Sequence, residues 1–378
     1  METSVETIVI GAGQSGLAAG YHLQRGDVPF LILEASDEPG GSWPHYYDSL
    51  RLFSPARFSS LPGLPFPREP ERYPARDEVI AYLRGYAAHF QLPVITGVKV
   101  EMVSREGERF HIRTADGRSF QAQSVIAATG AFHRPFTPQL PGQEQFRGRV
   151  LHSFAYRTPA PFAGQRVVVV GGGNSAVQIA AELAKVARVS LAVREPVRFV
   201  TQRPYGRDVH WWWSLLRFDT SPLESLQARL FARLAEGKGP RVLDAGVYRQ
   251  ALAAGEPDAR ELFSSFTKNG VLWADGQEEA VDTVIFATGY QPNLDYLAPL
   301  GALDDQGQPK HRHGVSTSVS GLGFVGLSNQ RTFASAALRG VGPDAAVVLR
   351  ALQRQRRPEW GGLRSLWRGI CCPAGTPA

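Results

Sequence analysis

The chain has 378 residues, 43% of them hydrophobic, with 41 lysines and arginines against 35 acids and a formal charge of +6. That length suggests two or three domains of about 100–200 residues and a core that needs no staple, and the 2 cysteines exclude a disulfide framework or a four-cysteine zinc site and point to a reducing compartment. The 39 glycines and 27 prolines, with no repeat or low-complexity tract, read as turn-rich α/β. No apolar run reaches the roughly 18–20 residues of a membrane span, and the N-terminus lacks a secretory pattern. The expectation is a soluble, cytoplasmic protein.

Val5–Ile10 predicts a short buried strand. Gly11-Ala12-Gly13-Gln14-Ser15-Gly16 follows at once, then a small-residue helix from Leu17 to Leu23. This is G-x-G-x-x-G between strand and helix, the context a dinucleotide requires. Gly11 permits the tight turn, Gly13 lets backbone approach a pyrophosphate, and Gly16 lets the helix pack on the sheet. The helix start at Gln14 and Ser15 offers N–H groups and a positive dipole end to phosphates. The next strand, Phe30–Leu33, ends in Glu34, 23 residues after Gly11, where an acid binds ribose hydroxyls. Gly40-Gly41-Ser42-Trp43 comes next. Its glycines allow close backbone approach to a ligand, with Gly41 and Ser42 as candidate contacts. Trp43 either walls a flat ring or is core.

Ile126–Gly130 ends an apolar strand in a glycine turn, with Thr129 and Gly130 as candidate cofactor contacts. Arg166–Val170 is a further buried strand, followed by Gly171-Gly172-Gly173-Asn174-Ser175-Ala176 and a helix from about Val177 to Val186. Ala176 in the third glycine position is within the fingerprint. Gly171, Gly173, Asn174 and Ser175 are the second set of phosphate-facing candidates. The strand Val189–Val193 ends in Arg194, again 23 residues after the first glycine. A carboxylate there repels a 2′-phosphate, whereas an arginine favours it through charge-assisted hydrogen bonds. The second site therefore predicts NADPH over NADH, unless Arg194 merely pairs with Glu195 or solvent.

Tyr205–Phe218, carrying Trp211-Trp212-Trp213, is more apolar than an ordinary loop. It reads as extra core, a dimer patch, a substrate lid or a membrane contact. Ile285–Tyr290 gives another glycine turn. Gly321–Leu327 reads as a returning strand, with Gly326 inside it, and Thr332–Arg339 as the helix after it. From Arg350 the chain holds 6 arginines and 1 acid, or +5 of the +6. That stretch reads as a solvated tail, or as a weak anchor to an anionic surface through Trp360 and Trp367. No nucleic-acid motif accompanies it. Cys371-Cys372, in the same tail, reads as incidental.

The order of these motifs resembles the flavin-containing monooxygenase family (class B flavoprotein monooxygenases). Phe146-x-Gly148-x-x-x-His152-x-x-x-Tyr156 matches its F-x-G-x-x-x-H-x-x-x-[YF] fingerprint. Asp48–Pro55 and Gly206–Trp212 look like the bacterial CzcO-like, YUCCA-like branch. The resemblance implies FAD at the first site and NADPH at the second. It implies two Rossmann-like three-layer domains, with the NADPH domain (158–280) inserted in a discontinuous FAD domain (1–157 and 281–355) and a basic tail at 356–378. His152 is implied to orient NADPH. Thr332 and Phe333 are implied to place a helix start, with its dipole, at the flavin edge. Where many relatives carry Asn in L-x-x-N-x-P, Leu50–Pro55 has Ser54, a hydroxyl to hydrogen-bond a peroxyflavin or an ordered water. Tyr156 in place of Trp favours heteroatom or YUCCA-like oxidation over ketone-to-ester conversion. The implied reaction inserts one atom of O2 into a small molecule through a C4a-(hydro)peroxyflavin, with no nucleic acid, no stable membrane insertion and room for a homodimer. A reductase or oxidase without oxygen insertion, and a non-catalytic nucleotide sensor, stand as alternatives.

Overall fold

The computed structural model describes residues 3–218, 220–234 and 241–356. In chain order, β1 (Thr3–Ile10), α1 (Gln14–Arg25), β2 (Phe30–Leu33), α2 (Arg76–His89) and β3 (Val94–Ile95) are followed by β4 (Val100–Glu106), β5 (Arg109–Thr114) and β6 (Ser119–Ala127). Then come β7 (Arg149–His152), β8 (Arg166–Val170), α3 (Asn174–Leu183), β9 (Arg188–Val193), β10 (Arg198–Thr201), α4 (Val209–Leu215), α5 (Leu226–Leu234), β11 (Arg241–Asp244) and α6 (Val247–Ala253). β12 (Asp258–Glu261), β13 (Ser265–Phe266), β14 (Gly270–Leu272), β15 (Glu278–Ala280), β16 (Thr283–Phe286), β17 (His311–Arg312), β18 (Val315–Ser316), β19 (Leu322–Phe324) and α7 (Leu338–Arg356) complete the described chain. No helix among the described residues is long and apolar enough to cross a membrane.

Two main sheets result. The first runs β17-β18-β19-β6-β1-β2-β3 and is parallel from β19 to β3, with β4 and β5 attached antiparallel beside β6. The second, β12-β9-β8-β16-β7, is parallel throughout. Strands buried on both faces read as unbroken apolar runs, as in Val167–Val170. Alternate residues separate into two cores. Val9, Ile32 and Ile126 face α1, α2 and α7, whereas Ile8, Ile10 and Val125 face β4, β5 and the 295–300 turn. In the second sheet Val167 and Val169 face α3, and Val168 and Val170 face Phe263, Phe266 and Trp273 of the β13–β15 region. Each sheet thus buries apolar side chains on both faces. Each large aliphatic side chain buried there stabilises the fold by about 1.5–3 kcal/mol.

β7 and β16 pair with each other in the second sheet, whose strands lie within 149–286. Several sequence expectations need correction. α3 starts at Asn174, not Val177, because extended Gly173 already accepts the first helical bond from Val177 N at 3.1 Å. The helix expected from Thr332 begins instead at Leu338. Ser335 Oγ accepts from the amides of Arg331 and Thr332, and Thr332 Oγ1 accepts from Ala334 N. These hydroxyls hold the segment in turns, the competition that keeps Ser and Thr out of helix interiors. α7 also takes in Arg350 and Arg354, so the basic stretch is partly helical. The 357–378 tail, with Trp360, Trp367 and Cys371-Cys372, lies outside the described residues.

Candidate active site

The two glycine motifs are built alike. Gly11 (φ +103°) and Gly171 (φ +137°) both leave a strand in a conformation that favours glycine. A Cβ on Gly11 would lie 2.8 Å from Ala128 O, and one on Gly171 2.4 Å from Ala287 O. The parallel neighbour strands therefore deliver their Ala-Thr-Gly turns, 128–130 and 287–289, against the two motifs. Gly16 is required by packing, since its Cβ would sit 1.7 Å from Gly11 O. Gly13 and Gly173 are different. Both are extended N-caps without a side-chain cap, and a Cβ there meets only Gly41 Cα at 3.6 Å in the first case and nothing within 4 Å in the second. Gln14 and Ser15, like Asn174 and Ser175, thus open helices whose first amides lack a side-chain acceptor, the geometry that binds anions.

Around the first motif the contacts converge. Glu34 is 5% exposed. Its Oε2 accepts from Ala12 N at 2.5 Å and its Oε1 from Ser36 N at 2.9 Å. Two amide donors hold the carboxylate at the strand end and leave further lone pairs for hydroxyl donors. Gln14 accepts from Trp43 Nε1 at 3.0 Å and donates to Ala336 O at 2.7 Å, tying the α1 start to the 336–338 corner. Gly41 packs on Gly13: its Cβ would lie 2.7 Å from Gly13 Cα. A Cβ on Gly326 would strike Ser15 Oγ at 2.1 Å.

A cavity of about 1070 Å³ runs through this region, at the upper limit of the roughly 300–1,000 Å³ usual for small-molecule sites. It is lined by Gly11, Gly13, Gln14, Ser15, Glu34, Gly41, Ser42, Trp43, Ser54, Thr129, Gly130 and Gly326 among the expected residues. Trp43 is a wall. Thr129 Oγ1 donates to Asn293 O at 2.8 Å, which joins the first Ala-Thr-Gly turn to the 290s. Ser59 Oγ lies 2.9 Å from Pro55 O and 2.9 Å from Ser54 Oγ. With the Ser59 proton on the carbonyl, Ser54 donates to Ser59, and its remaining capacity is to accept.

The other walls were not anticipated. Tyr46, Phe53, Phe132 and Tyr290 line the cavity. Phe132 packs 4.2 Å from Tyr46 and 4.9 Å from Tyr290, ring centre to ring centre. Burial pushes the Tyr46 phenol well above its ordinary value, and Tyr290 adds to the rise, so this wall carries no charge at neutral pH. For Phe132 and Tyr290 the sequence signal is placement just after the glycine turns at Gly130 and Gly289; Tyr46 and Phe53 carry none of that kind.

His152 ends β7 beside the second turn, its ring edge-on to Tyr290 at 5.0 Å. Nδ1 accepts from Phe154 N at 3.1 Å. The neutral ring therefore carries its proton on Nε2, which is buried. Burial lowers the imidazole pKa, against an opposing interaction with the Gly289 backbone. His152 lies one ring from the cavity rather than in its wall. Tyr156 is fully buried and donates to Glu182 Oε2 on α3 at 2.9 Å, a bond Trp could not make in the same way.

Some expected residues lie elsewhere. Gly171, Gly173, Asn174, Ser175 and Arg194 are not part of this cavity wall; they stand at the matching end of the second sheet, with Arg194 exposed just beyond β9. Thr332 is buried, and Phe333 stacks on Phe218 with centres 5.2 Å apart. Neither lines the cavity, where Ala336, Ala337 and Leu338 stand instead. The shift follows from the late start of α7.

A family model described as pyridine nucleotide-disulphide oxidoreductase matches residues 8–213. The flavin-containing monooxygenase from Stenotrophomonas maltophilia superposes with a TM-score of 0.81 at 38% identity, covering 93% of this chain and 99% of that one. An uncharacterized CzcO-like oxidoreductase of Geobacillus kaustophilus is 33% identical over 92% of this chain and 98% of its own. The indole-3-pyruvate monooxygenase YUCCA1 of Oryza sativa subsp. japonica is 30% identical over 93% of this chain and 92% of its own. Relatives of this class use FAD and NADPH. Motif order, sheet architecture and these relatives agree, and the chain belongs to the flavin-containing monooxygenases, oxidoreductases that depend on FAD and NADPH.

Proposed function

We propose that the enzyme inserts one atom of O2 into a small organic substrate, with FAD in the 1070 Å³ cavity and NADPH on the second glycine motif. One observation carries this reading: a single cavity joins the open start of α1 and Glu34 at one side to an uncharged aromatic wall and Ser54. The groups there suit FAD. Gly13 and Gly41 leave the backbone bare where a pyrophosphate needs close approach, and Glu34 retains acceptor capacity for ribose hydroxyls. When bound, FAD supplies hydride acceptance from NADPH and the activation of O2.

The chain's own part is binding, orientation and exclusion of water. The first amides of α1 and α3 take the two pyrophosphates. Arg194 favours a 2′-phosphate on the second nucleotide. His152, packed edge-on against the Tyr290 wall, acts in orienting NADPH rather than in removing a proton. Tyr46, Phe132 and Tyr290 form an apolar wall that keeps bulk water from the reacting atoms. The arrangement supports two dinucleotide domains, the first discontinuous around the second, with seams before Arg149 and after Phe286. The low cysteine count supports a cytoplasmic setting.

The test uses 18O2. The purified enzyme with NADPH is supplied with amines, sulfides and 2-keto acids, and products are read by mass spectrometry. NADPH-dependent gain of one 18O in a product supports the reading. Stoichiometric H2O2 with no labelled product across the panel supports the second reading, an oxidase without oxygen insertion. The hydrogen bond that Ser54 Oγ shares with Ser59 Oγ at 2.9 Å competes with any bond Ser54 would donate to the site, and this is the observation in favour of that alternative.

A further inference from the structure

Asp208 is a buried carboxylate, 2% exposed, in the turn before α4. Four donors reach it. Tyr73 OH and Gln202 Nε2 donate to Oδ2 at 2.5 and 2.8 Å. His210 N and His210 Nδ1 stand 2.8 Å from Oδ1. Burial alone would push the carboxyl up, but the hydrogen bonds from His210, Tyr73 and Gln202 together hold it below its ordinary value. It is therefore an anion with both oxygens served, and it fixes the His210 tautomer with the proton on Nδ1.

Both arms of this cluster end on Phe53. The same Gln202 amide donates to Phe53 O at 2.9 Å. The His210 ring stacks on the Phe53 ring at 6.2 Å and 21°, backed by Phe58 at 6.1 Å and by the edge of Trp213 at 4.9 Å. Phe53 is 40% exposed, so its own burial does not hold it, yet it and Ser54 line the cavity. An element 149 residues away in sequence thus fixes both backbone and ring at this corner.

We propose that Asp208 is a positioning residue for the substrate compartment: through Gln202 and His210 it holds Phe53 as a fixed wall beside Ser54. The proposal rests on the reading of this cavity as the flavin and substrate site. It also gives the Tyr205–Phe218 segment a function, as the support of the Phe53–Ser54 corner of the cavity.

The test compares wild type, Asp208→Asn, Gln202→Ala and Tyr73→Phe as FAD-loaded full chains. Two readouts are taken: acrylamide quenching of bound-flavin fluorescence, and amide hydrogen exchange over 50–60. Asp208→Asn puts an amide donor among four donors, and Gln202→Ala cuts the arm to the Phe53 carbonyl. Both are expected to raise the quenching constant at least twofold and to speed exchange over 50–60 at least tenfold, with FAD content and exchange in α1 unchanged. Tyr73→Phe leaves both arms in place and should change quenching by less than 1.5-fold. A merely structural role would lower stability without selective access to the flavin. Wild-type quenching and wild-type exchange over 50–60 in Gln202→Ala overturn the proposal, and this variant decides if Asp208→Asn does not fold. Neither readout involves O2 or a substrate, so an unlabelled product in the 18O2 experiment defeats the monooxygenase reading separately.

Discussion

Replacing Gly13 with alanine adds one methyl group at the open start of α1. Gly13 has φ −75° and ψ −174°, which alanine adopts without strain. The new Cβ meets only Gly41 Cα at 3.6 Å, an ordinary contact. Alanine is a poorer N-cap than glycine, while the stiffer unfolded chain offsets this by about 0.4–1 kcal/mol. The cofactor-free fold is therefore expected to keep its stability to within about 1 kcal/mol. Binding is another matter, because Gly13 lines the cavity where a pyrophosphate must come within hydrogen-bond distance of bare backbone. Losing one hydrogen bond to a charged group costs about 1.5–3 kcal/mol, or roughly 10- to 100-fold in Kd at 1.4 kcal/mol per decade. Fluorescence titration of apoprotein with FAD measures the Kd, and thermal unfolding of the same apoprotein measures the fold. Gly16→Ala is the contrasting control, since its Cβ would lie 1.7 Å from Gly11 O and the fold should fail first. A Gly13→Ala protein that folds and binds FAD with wild-type affinity would refute the path of the pyrophosphate across this residue.

Gly173→Ala has open space around its new methyl and should raise the KM for NADPH about tenfold with FAD content unchanged; an equal loss of FAD would contradict two separate sites. Arg194→Ala should lower the preference for NADPH over NADH in kcat/KM by at least about tenfold, the worth of one charge-assisted bond; an unchanged ratio would mean that the guanidinium only meets solvent. Burial lowers the pKa of His152 and of His22, so on acidification the unfolded chain takes protons first. Their contribution to stability is complete above the ordinary imidazole value of about 6.5 and is lost as pH falls through the depressed folded values. Melting temperatures measured from pH 7.5 down to 5 should therefore fall, and a rise over that window would contradict the burial of these rings.

Both nucleotide motifs were readable in the chain because each rests on local requirements. A strand end, a glycine at positive φ, a second glycine left bare and a charged residue 23 positions on are fixed by neighbours in sequence, and Gly11, Glu34, Gly171 and Arg194 stand where such spacing puts them. Local reading failed where local preferences compete. The hydroxyls of Thr332 and Ser335 captured amides that a helix would need, α7 began six residues later, and Ala336–Leu338 rather than Thr332 and Phe333 reached the cavity. Even Trp43 became a wall only through its bond to Gln14.

The sequence by itself determined two glycine turns, the charge beside each and the family they belong to. Only the tertiary structure decided which strands share a sheet, so that β7 and β16 joined the second one, and which distant groups meet at the cavity. Ala128 O against Gly11, Tyr290 beside His152, and Asp208 holding Phe53 through Gln202 are contacts between residues far apart in the chain. A residue's own propensity carries no record of them, because they arise only when burial of the two parallel sheets brings strand ends and loops together.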